Sequence, residues 1–437
     1  MKQYPKYKDS KISWIGDVPE HWETSRLKAM LKNQLQYGAN SSGVEYDETL
    51  PRYIRITDIT KDNCLTNTDM RSLSQNEAKE YILDDKDILF ARSGATAGKA
   101  FLYKSGYGVA AFAGYLIRAQ IKQNIMLAEY AYYSTLSWGY EQWRASIFIQ
   151  ATIPNIGANK YNNYILPVPP YSEQQAIVEF LDTAVDKIDR YIAAKEAEIE
   201  KLGTLKQSVI SQAVTKGLNP AAPMKDSGID WMGNIPENWE IHSIKQHFCI
   251  QKRIAGKEGY NVFSITQNGL KVKDISLNDG QMAANYSGYQ FVHPGDFAMN
   301  HMDLITGGVG LSTAFGVTSP DYRVFELFDN NNCYSEYYLR VFQICYWRRI
   351  FYRHGRGAAS TGRWRLPAKA FLNFQIPVPS IKEQKEIVKY INEQIEKIDT
   401  SISNIRQQIA KLKVYKQRLI SDAVTGKIDV RITERMV

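Results

Sequence analysis

Long apolar runs are missing from this chain. No run of about 18 apolar residues, the length that crosses a bilayer, occurs in its 437 residues. The N-terminus, Met1-Lys2-Gln3-Tyr4-Pro5, lacks the apolar core of a signal peptide, so a cytoplasmic protein with no membrane association is expected. Cysteine is scarce as well. Cys64, Cys249, Cys333 and Cys345 show no CxxC spacing, which argues against a disulfide framework and against a structural zinc site. The six histidines are dispersed and form no HExxH pair, so no metal is expected from ligand spacing. What is present is ordinary for a globular protein, with 44% hydrophobic and 23% charged residues. The length suits two or three domains. Tyrosine is abundant, at 28 residues with 8 Trp, which fits either well-packed cores or large amphipathic contact surfaces. The net charge of +8 favours a polyanionic partner, although charge alone is weak support.

Internal repetition organises the chain. Lys8-Asp9-Ser10, Trp14, Pro19 and Trp22-Glu23 recur as Lys225-Asp226-Ser227, Trp231, Pro236 and Trp239-Glu240, at an offset of 217. A second match, at an offset of 210, starts at Pro167-Val168-Pro169 and Pro377-Val378-Pro379. It continues through Glu173-Gln174 and Glu383-Gln384 to Ala213-Val214-Thr215 and Ala423-Val424-Thr425. Residues 24–165 and 241–375 between these blocks share little. Each half therefore has a constant start, a variable middle and a constant end, as expected of one binding unit duplicated and diverged toward two targets.

The constant end carries a 4-3 apolar period. In the second copy Ile391, Ile395, Ile398, Ile402, Ile405, Ile409 and Leu412 follow it. In the first copy Leu181, Val185, Ile188, Ile192, Ile199 and Leu202 do, with Lys195 as the one interruption. That is the seam of a coiled coil, and each run of about 43 residues would be roughly 65 Å long. Proline at Pro167–Pro170 and Pro377–Pro379 marks the strand end before each helix. Residues 173–215 carry a net −3 and residues 383–425 a net +2, so the simplest partner for each helix is the other, antiparallel. A homodimer through the same seam is the alternative. The basic surplus then belongs to the lobes.

Candidate DNA contacts follow from residue type. Arg340 to Lys369 holds eight Lys/Arg and no acid, interleaved with aromatics and ending in a Gly-rich segment. Arg353, Arg356, Ser360, Thr361, Arg363 and Arg365 are its candidate contacts, since arginine pairs phosphates and reads guanine edges bidentately. In the first half, Tyr53 to Ile59 alternates as a strand presenting Arg55 and Thr57. The strand Asp87–Ala91 runs into a Gly-rich basic loop with Arg92, Ser93, Thr96 and Lys99, and its counterpart in the second half runs into Asn300 and Asp303. A third polar segment contributes Gln150, Thr152 and Asn155. Turn chemistry alone demands many of the same residue types.

Three catalytic-looking motifs fail. Gly94 to Lys99 has three residues between its glycines and Ala where a phosphate loop needs Ser or Thr. Val168-Pro169-Pro170-Tyr171 lacks the polar first residue of an amino-methyltransferase motif. Glu77-Ala78-Lys79 is too short to carry weight.

With these residues in place, the chain resembles the specificity subunit of Type I restriction–modification systems over nearly its whole length. The resemblance rests on the Trp-Ile-Gly or Trp-Met-Gly starts at Trp14 and Trp231 and on the Pro-Val-Pro…Glu-Gln entries into long helices. It also rests on Gly295-Asp296-Phe297 leading to Asn300-His301-Met302-Asp303, then Ser319-Pro320-Asp321-Tyr322. One departure is Asp85-Lys86-Asp87 where Gly-Asp is usual. The resemblance implies an α/β (α+β) architecture of two target-recognition domains, at 1–170 and 218–380. They would be separated by an antiparallel two-helix coiled coil built from 171–217 and from 381–437 with its tail. It implies a non-catalytic subunit that reads a bipartite site, one domain per half-site. The implied partners are double-stranded DNA, two modification subunits and restriction subunits. S-adenosylmethionine, ATP and Mg²⁺ would belong to those partners, with no cofactor in this chain. A stand-alone two-lobed regulator and a coiled-coil scaffold are the rival readings.

Overall fold

The computed structural model describes residues 2–60, 63–148, 154–267, 269–274, 285–357 and 364–432. The chain divides into two compact units, residues 1–195 with 407–437 and residues 196–406. Each unit thus holds one lobe, part of its own long helix and part of the helix from the other repeat.

The long helices span Tyr171–Lys216 and Ile381–Val424, starting where the proline-rich strand ends predict. All thirteen seam positions are buried or half-buried. Within the first unit Lys416 Nζ pairs with Asp189, at 2.6 Å, and within the second Lys206 Nζ pairs with Asp399, at 2.8 Å. These ion pairs join the two helices within each unit, and partly exposed as they are, each contributes on the order of 0.5 kcal/mol.

The constant start and constant end of each half are strand partners. In the first unit Glu23–Arg26 pairs antiparallel with Ile165–Val168, and in the second Glu240–Ser243 pairs with Gln375–Val378. Trp22 and Trp239, which open these strands, are fully buried. The variable segment is therefore an insertion between two paired strands, which is why it can diverge without disturbing its frame. In the first lobe it builds two four-stranded sheets, one of them in the order Gln36–Tyr37, Leu116–Ala119, Ile88–Ala91, Ala100–Leu102. In the second lobe the equivalent sheet runs Phe248–Gln251, Arg323–Leu327, Phe297–Met299, Val309–Leu311. One expectation is corrected. The strand read over Tyr53–Ile59 ends at Ile54, and a 3-10 turn occupies Ile56–Asp58. The Asp58 carboxylate accepts the Arg55 amide at 2.8 Å and turns the chain there.

The Glu-Gln motif acquires a physical meaning. Gln174 is fully buried; its amide donates to the carbonyls of Ile125 and Pro169, and its Oε1 accepts the Leu127 amide. Gln384 does the same with Asn332, Pro379 and Tyr334, at 2.7, 2.8 and 2.8 Å. Each glutamine locks the helix start to the loop behind it. The opposite helix end is gripped too. Tyr130 donates its hydroxyl to the Val424 carbonyl at 2.9 Å, and Tyr337 donates to Val214 at 3.0 Å.

Replacing Gln384 with Leu leaves three backbone groups without this partner, one buried and two part-buried, at up to about 1–3 kcal/mol each before relaxation. We expect Gln384→Leu to lower unfolding free energy by about 2–4 kcal/mol in urea titrations followed by Trp fluorescence. The exposed neighbour substitution Lys382→Leu should change it by less than about 0.5 kcal/mol. Equal midpoints for the two variants would contradict this role.

Candidate nucleic-acid interface

In the first lobe the strand Ile88–Ala91 ends at an exposed corner. Arg92 follows, its amide donating to Tyr115 O and its own carbonyl accepting the Ile156 amide at 2.8 Å. Ser93 forms an antiparallel bridge with Asn155, so two of the three segments picked from sequence meet side by side. The Arg92 guanidinium lies over the Tyr37 ring, 5.2 Å from its centre. Beside it opens a cleft of about 660 Å³ lined by Tyr37, Asn40, Ser41, Arg55, Thr57 and Tyr115, among others. Gly38 on its wall has to be glycine, because a Cβ there would sit 2.3 Å from the Phe112 carbonyl oxygen. Thr96 is half-buried in a 3-10 turn, Gly94–Thr96, and accepts the Lys99 amide at 3.0 Å through its carbonyl. This loop leads into a strand, Ala100–Leu102, and not into a helix as a phosphate loop would.

The second lobe repeats this corner with other side chains. The Leu366 amide donates to His301 O, again at 2.8 Å, so His301 stands where Arg92 does and Arg365 where Asn155 does. Arg356 and Arg365 pair across an antiparallel bridge beside the 300–306 turn. Arg365 reaches the Met302 sulfur at 3.3 Å. Gln150, Thr152, Ser360, Thr361 and Arg363 lie outside the described residues.

The candidates divide by what their side chains already do. Asn300 Oδ1 accepts the amides of Met302 and Asp303, and Asp303 accepts those of Ile305 and Thr306, so both shape the turn itself. Arg55 is held by Asp58 at 2.8 Å and by Asp69. By contrast Arg92, Arg353, Arg356 and Arg365 form no ion pair among the described residues, and all but the half-buried Arg92 are exposed. The basic stretch also splits. Arg340 bonds Asn392 and Arg348 bonds Ser211 on the long helices, so these two brace the lobe.

Residues that sequence reasoning missed complete the corner. Tyr115 is 62% exposed, and Tyr37 donates no helix or strand signal beyond its two-residue strand. Their only trace in sequence is an aromatic next to glycine, as in Tyr37-Gly38 and Gly114-Tyr115. His301, between Asn300 and Met302, also belongs to the corner. Burial, then the nearby charges of Arg323 and Arg365, lower its pKa to about 4, so the imidazole is neutral at pH 7. Its Nδ1 has no hydrogen-bond partner among the described residues. Arg323, itself buried over the Phe371 ring at 4.9 Å, donates to Leu366 O and stiffens the corner from behind. Among the described residues no acidic side chain pairs with Arg92, Arg353, Arg356 or Arg365, and the arrangement suits an anionic, hydrogen-bonding ligand.

The model for the Type I restriction modification DNA specificity domain matches residues 19–201 and again 236–411. The chain is 25% identical to the Type I restriction enzyme MjaVIII specificity subunit of Methanocaldococcus jannaschii, covering 95% of this chain and 94% of that protein. It is 21% identical to the EcoKI specificity subunit of Escherichia coli, covering 94% and 90%. A solved structure from a study of type I R-M complex assembly and conformational transition superposes with a TM-score of 0.66 at 14% identity, covering 94% of this chain and 99% of that one. With the family model matching both halves of the duplication, the chain belongs to the Type I restriction–modification specificity-subunit family.

Proposed function

We propose that each lobe reads one half of a split duplex site through the corner where its central strand exits. The chain is a non-catalytic specificity subunit that recognises DNA, with modification and restriction subunits as partners. The finer reading rests on one observation. The same backbone bond, Arg92 O to Ile156 N and His301 O to Leu366 N, carries Arg92 and Asn155 in one lobe but His301 and Arg365 in the other. A shared frame with different hydrogen-bonding side chains is what two half-sites of different sequence require. Arg353, Arg356 and Arg365 supply phosphate or guanine contacts in the second lobe. Arg92, Ser93, Thr96, Lys99 and Asn155 do so in the first, with Arg55 and Thr57 on the cleft wall.

In this reading the long helices form an antiparallel coiled coil that sets the spacing between half-sites, and two modification subunits dock against the repeated surfaces. S-adenosylmethionine, ATP and Mg²⁺ act in those partners. The buried or half-buried seam from Leu181 to Leu202 and from Ile391 to Leu412 supports the helical pairing.

Exchanging residues 24–165 for the equivalent segment of a relative should change the methylated sequence in one half-site only; a change in both would refute independent reading. Arg365→Ala in the assembled complex should weaken binding by about 1–3 kcal/mol and relax only the half-site read by the second lobe if it reads a base. If it meets phosphate, the slope of log K against log salt should fall by about 1. A variant with unaltered affinity and salt slope would remove Arg365 from the interface. Inserting one heptad into each long helix, at about 1.5 Å per residue, should lengthen the spacer in the methylated site, and an unchanged spacer would exclude the ruler.

A further inference from the structure

The duplication provides an internal control for every side chain, and one group in the second lobe stands out against it. His247, Asp329 and Cys333 place one nitrogen, one carboxylate oxygen and one sulfur all within 4.8 Å of one another. His247 and Cys333 are each 3% exposed, and His247 Nδ1 meets Asp329 Oδ2 at 2.8 Å. The three come from different segments. His247 ends a 3-10 turn after the strand Glu240–Ser243, while Asp329 and Cys333 open and close the turn before the helix Ser335–Trp347. The Cys333 amide donates to the Asp329 carbonyl at 3.1 Å, which curls both side chains toward His247.

The first lobe has the same backbone here with none of these donors. The Leu27 amide bonds Tyr164 O as the Ile244 amide bonds Phe374 O, so Met30 matches His247. The Lys122 amide bonds Met30 O as the Phe328 amide bonds His247 O, so Gln123 matches Asp329. The Leu127 and Tyr334 amides bond Gln174 and Gln384, so Met126 matches Cys333, the turn being one residue longer in the second lobe. Met30 and Met126 are buried in the core of their lobe. The frame therefore packs with two methionines and a glutamine, and folding alone does not call for a buried imidazole and thiol beside a carboxylate.

The surroundings of the trio have the form of a metal site's outer shell. His247 Nε2 lies 2.7 Å from His242 Nδ1, and the other nitrogen of His242 lies 3.0 Å from Glu240. The first lobe has Ser25 at the His242 position, as the pairing of Ser25 with Leu166 and His242 with Ile376 shows. A carboxylate–His–His chain of this kind fixes which ring nitrogen is free to ligate. Asn332 holds Asp329 from the other side, at 3.1 Å.

We propose that His247, Asp329 and Cys333 bind a divalent transition-metal ion of the Zn²⁺ type, with His242 and Glu240 orienting His247. A mixed nitrogen, oxygen and sulfur set suits Zn²⁺, and hard ions such as Mg²⁺ and Ca²⁺ are disfavoured by the thiol. Tetrahedral ligands at about 2.0–2.3 Å from zinc stand roughly 3.3–3.8 Å apart, a spread that a small rotation of Asp329 away from His247 provides. The fourth position falls to water, since Asp329 retains 17% of its side-chain exposure. Ligation takes the thiol proton into solvent and joins the entry strand to the helix root, bracing the second lobe.

The experiment uses the purified full-length chain and substitutes the residues its own first repeat uses. Wild type should bind one equivalent of Zn²⁺ by equilibrium dialysis. With Co²⁺ as a probe it should develop the thiolate-to-cobalt charge-transfer band. The triple variant H247M/D329Q/C333M should fold, as its circular dichroism will report, and lose both signals. His242→Ser should weaken Zn²⁺ binding by about 10–100-fold while keeping the charge-transfer band. EDTA should lower the Tm of wild type and leave that of the triple variant unchanged. Absence of bound metal in wild type, or equal binding by the triple variant, overturns the proposal. Should the triple variant misfold, Cys333→Ser alone decides: loss of the charge-transfer band supports the site and its retention refutes it.

Discussion

The buried carboxamide at the root of each long helix is the contact on which the architecture depends. Gln174 and Gln384 each offer two donors and an acceptor, and each is satisfied by three backbone groups, two from the loop behind it and one from the proline before its helix. A carboxamide can do this where a charged side chain would be costly and an apolar one would orphan the loop. Because a helix is stiff, fixing its first turn against the lobe fixes the direction in which it leaves. The neighbouring Glu173 adds to this in the first unit. It is buried and accepts from Tyr4, Trp22 and Arg431, tying the chain's N-terminal segment and its tail to the same helix start.

Around that root each lobe is an insertion closed by a pair of constant strands. Backbone hydrogen bonds hold the frame, so side chains on it are free to change. Arg92 and His301 occupy one position, Asn155 and Arg365 another, Met30 and His247 a third. Divergence has therefore altered chemistry at fixed points of a shared frame.

The basic surplus is sorted by the fold. Arg340 and Arg348 are bonded to the long helices, Arg323 is buried against Phe371, and Arg55 is paired with acids. Arg353, Arg356 and Arg365 stay exposed. Of these groups the last keeps its charge available to a polyanion, since desolvated or paired guanidinium groups have little left to offer one.

The sequence by itself determined the duplication, the two long helices, their starts at the proline-rich strand ends and their apolar seams. These are local periodicities and direct self-matches, so they need no tertiary information. It also pointed to the strand-exit loops, because glycine and basic residues cluster there. What tertiary structure alone decided is which of those residues do what. Asn300, Asp303 and Arg55 look like recognition residues in sequence, yet their side chains shape turns or pair with nearby acids, and turn chemistry uses the same residue types as recognition. Tyr37, Tyr115 and His301 gave little signal, since their place at the corner depends on backbone bonds between segments far apart in the chain. His247, Asp329 and Cys333 are the extreme case. No spacing motif joins them, and it is the matched backbone bonds of the two repeats that show their chemistry to exceed what the frame requires.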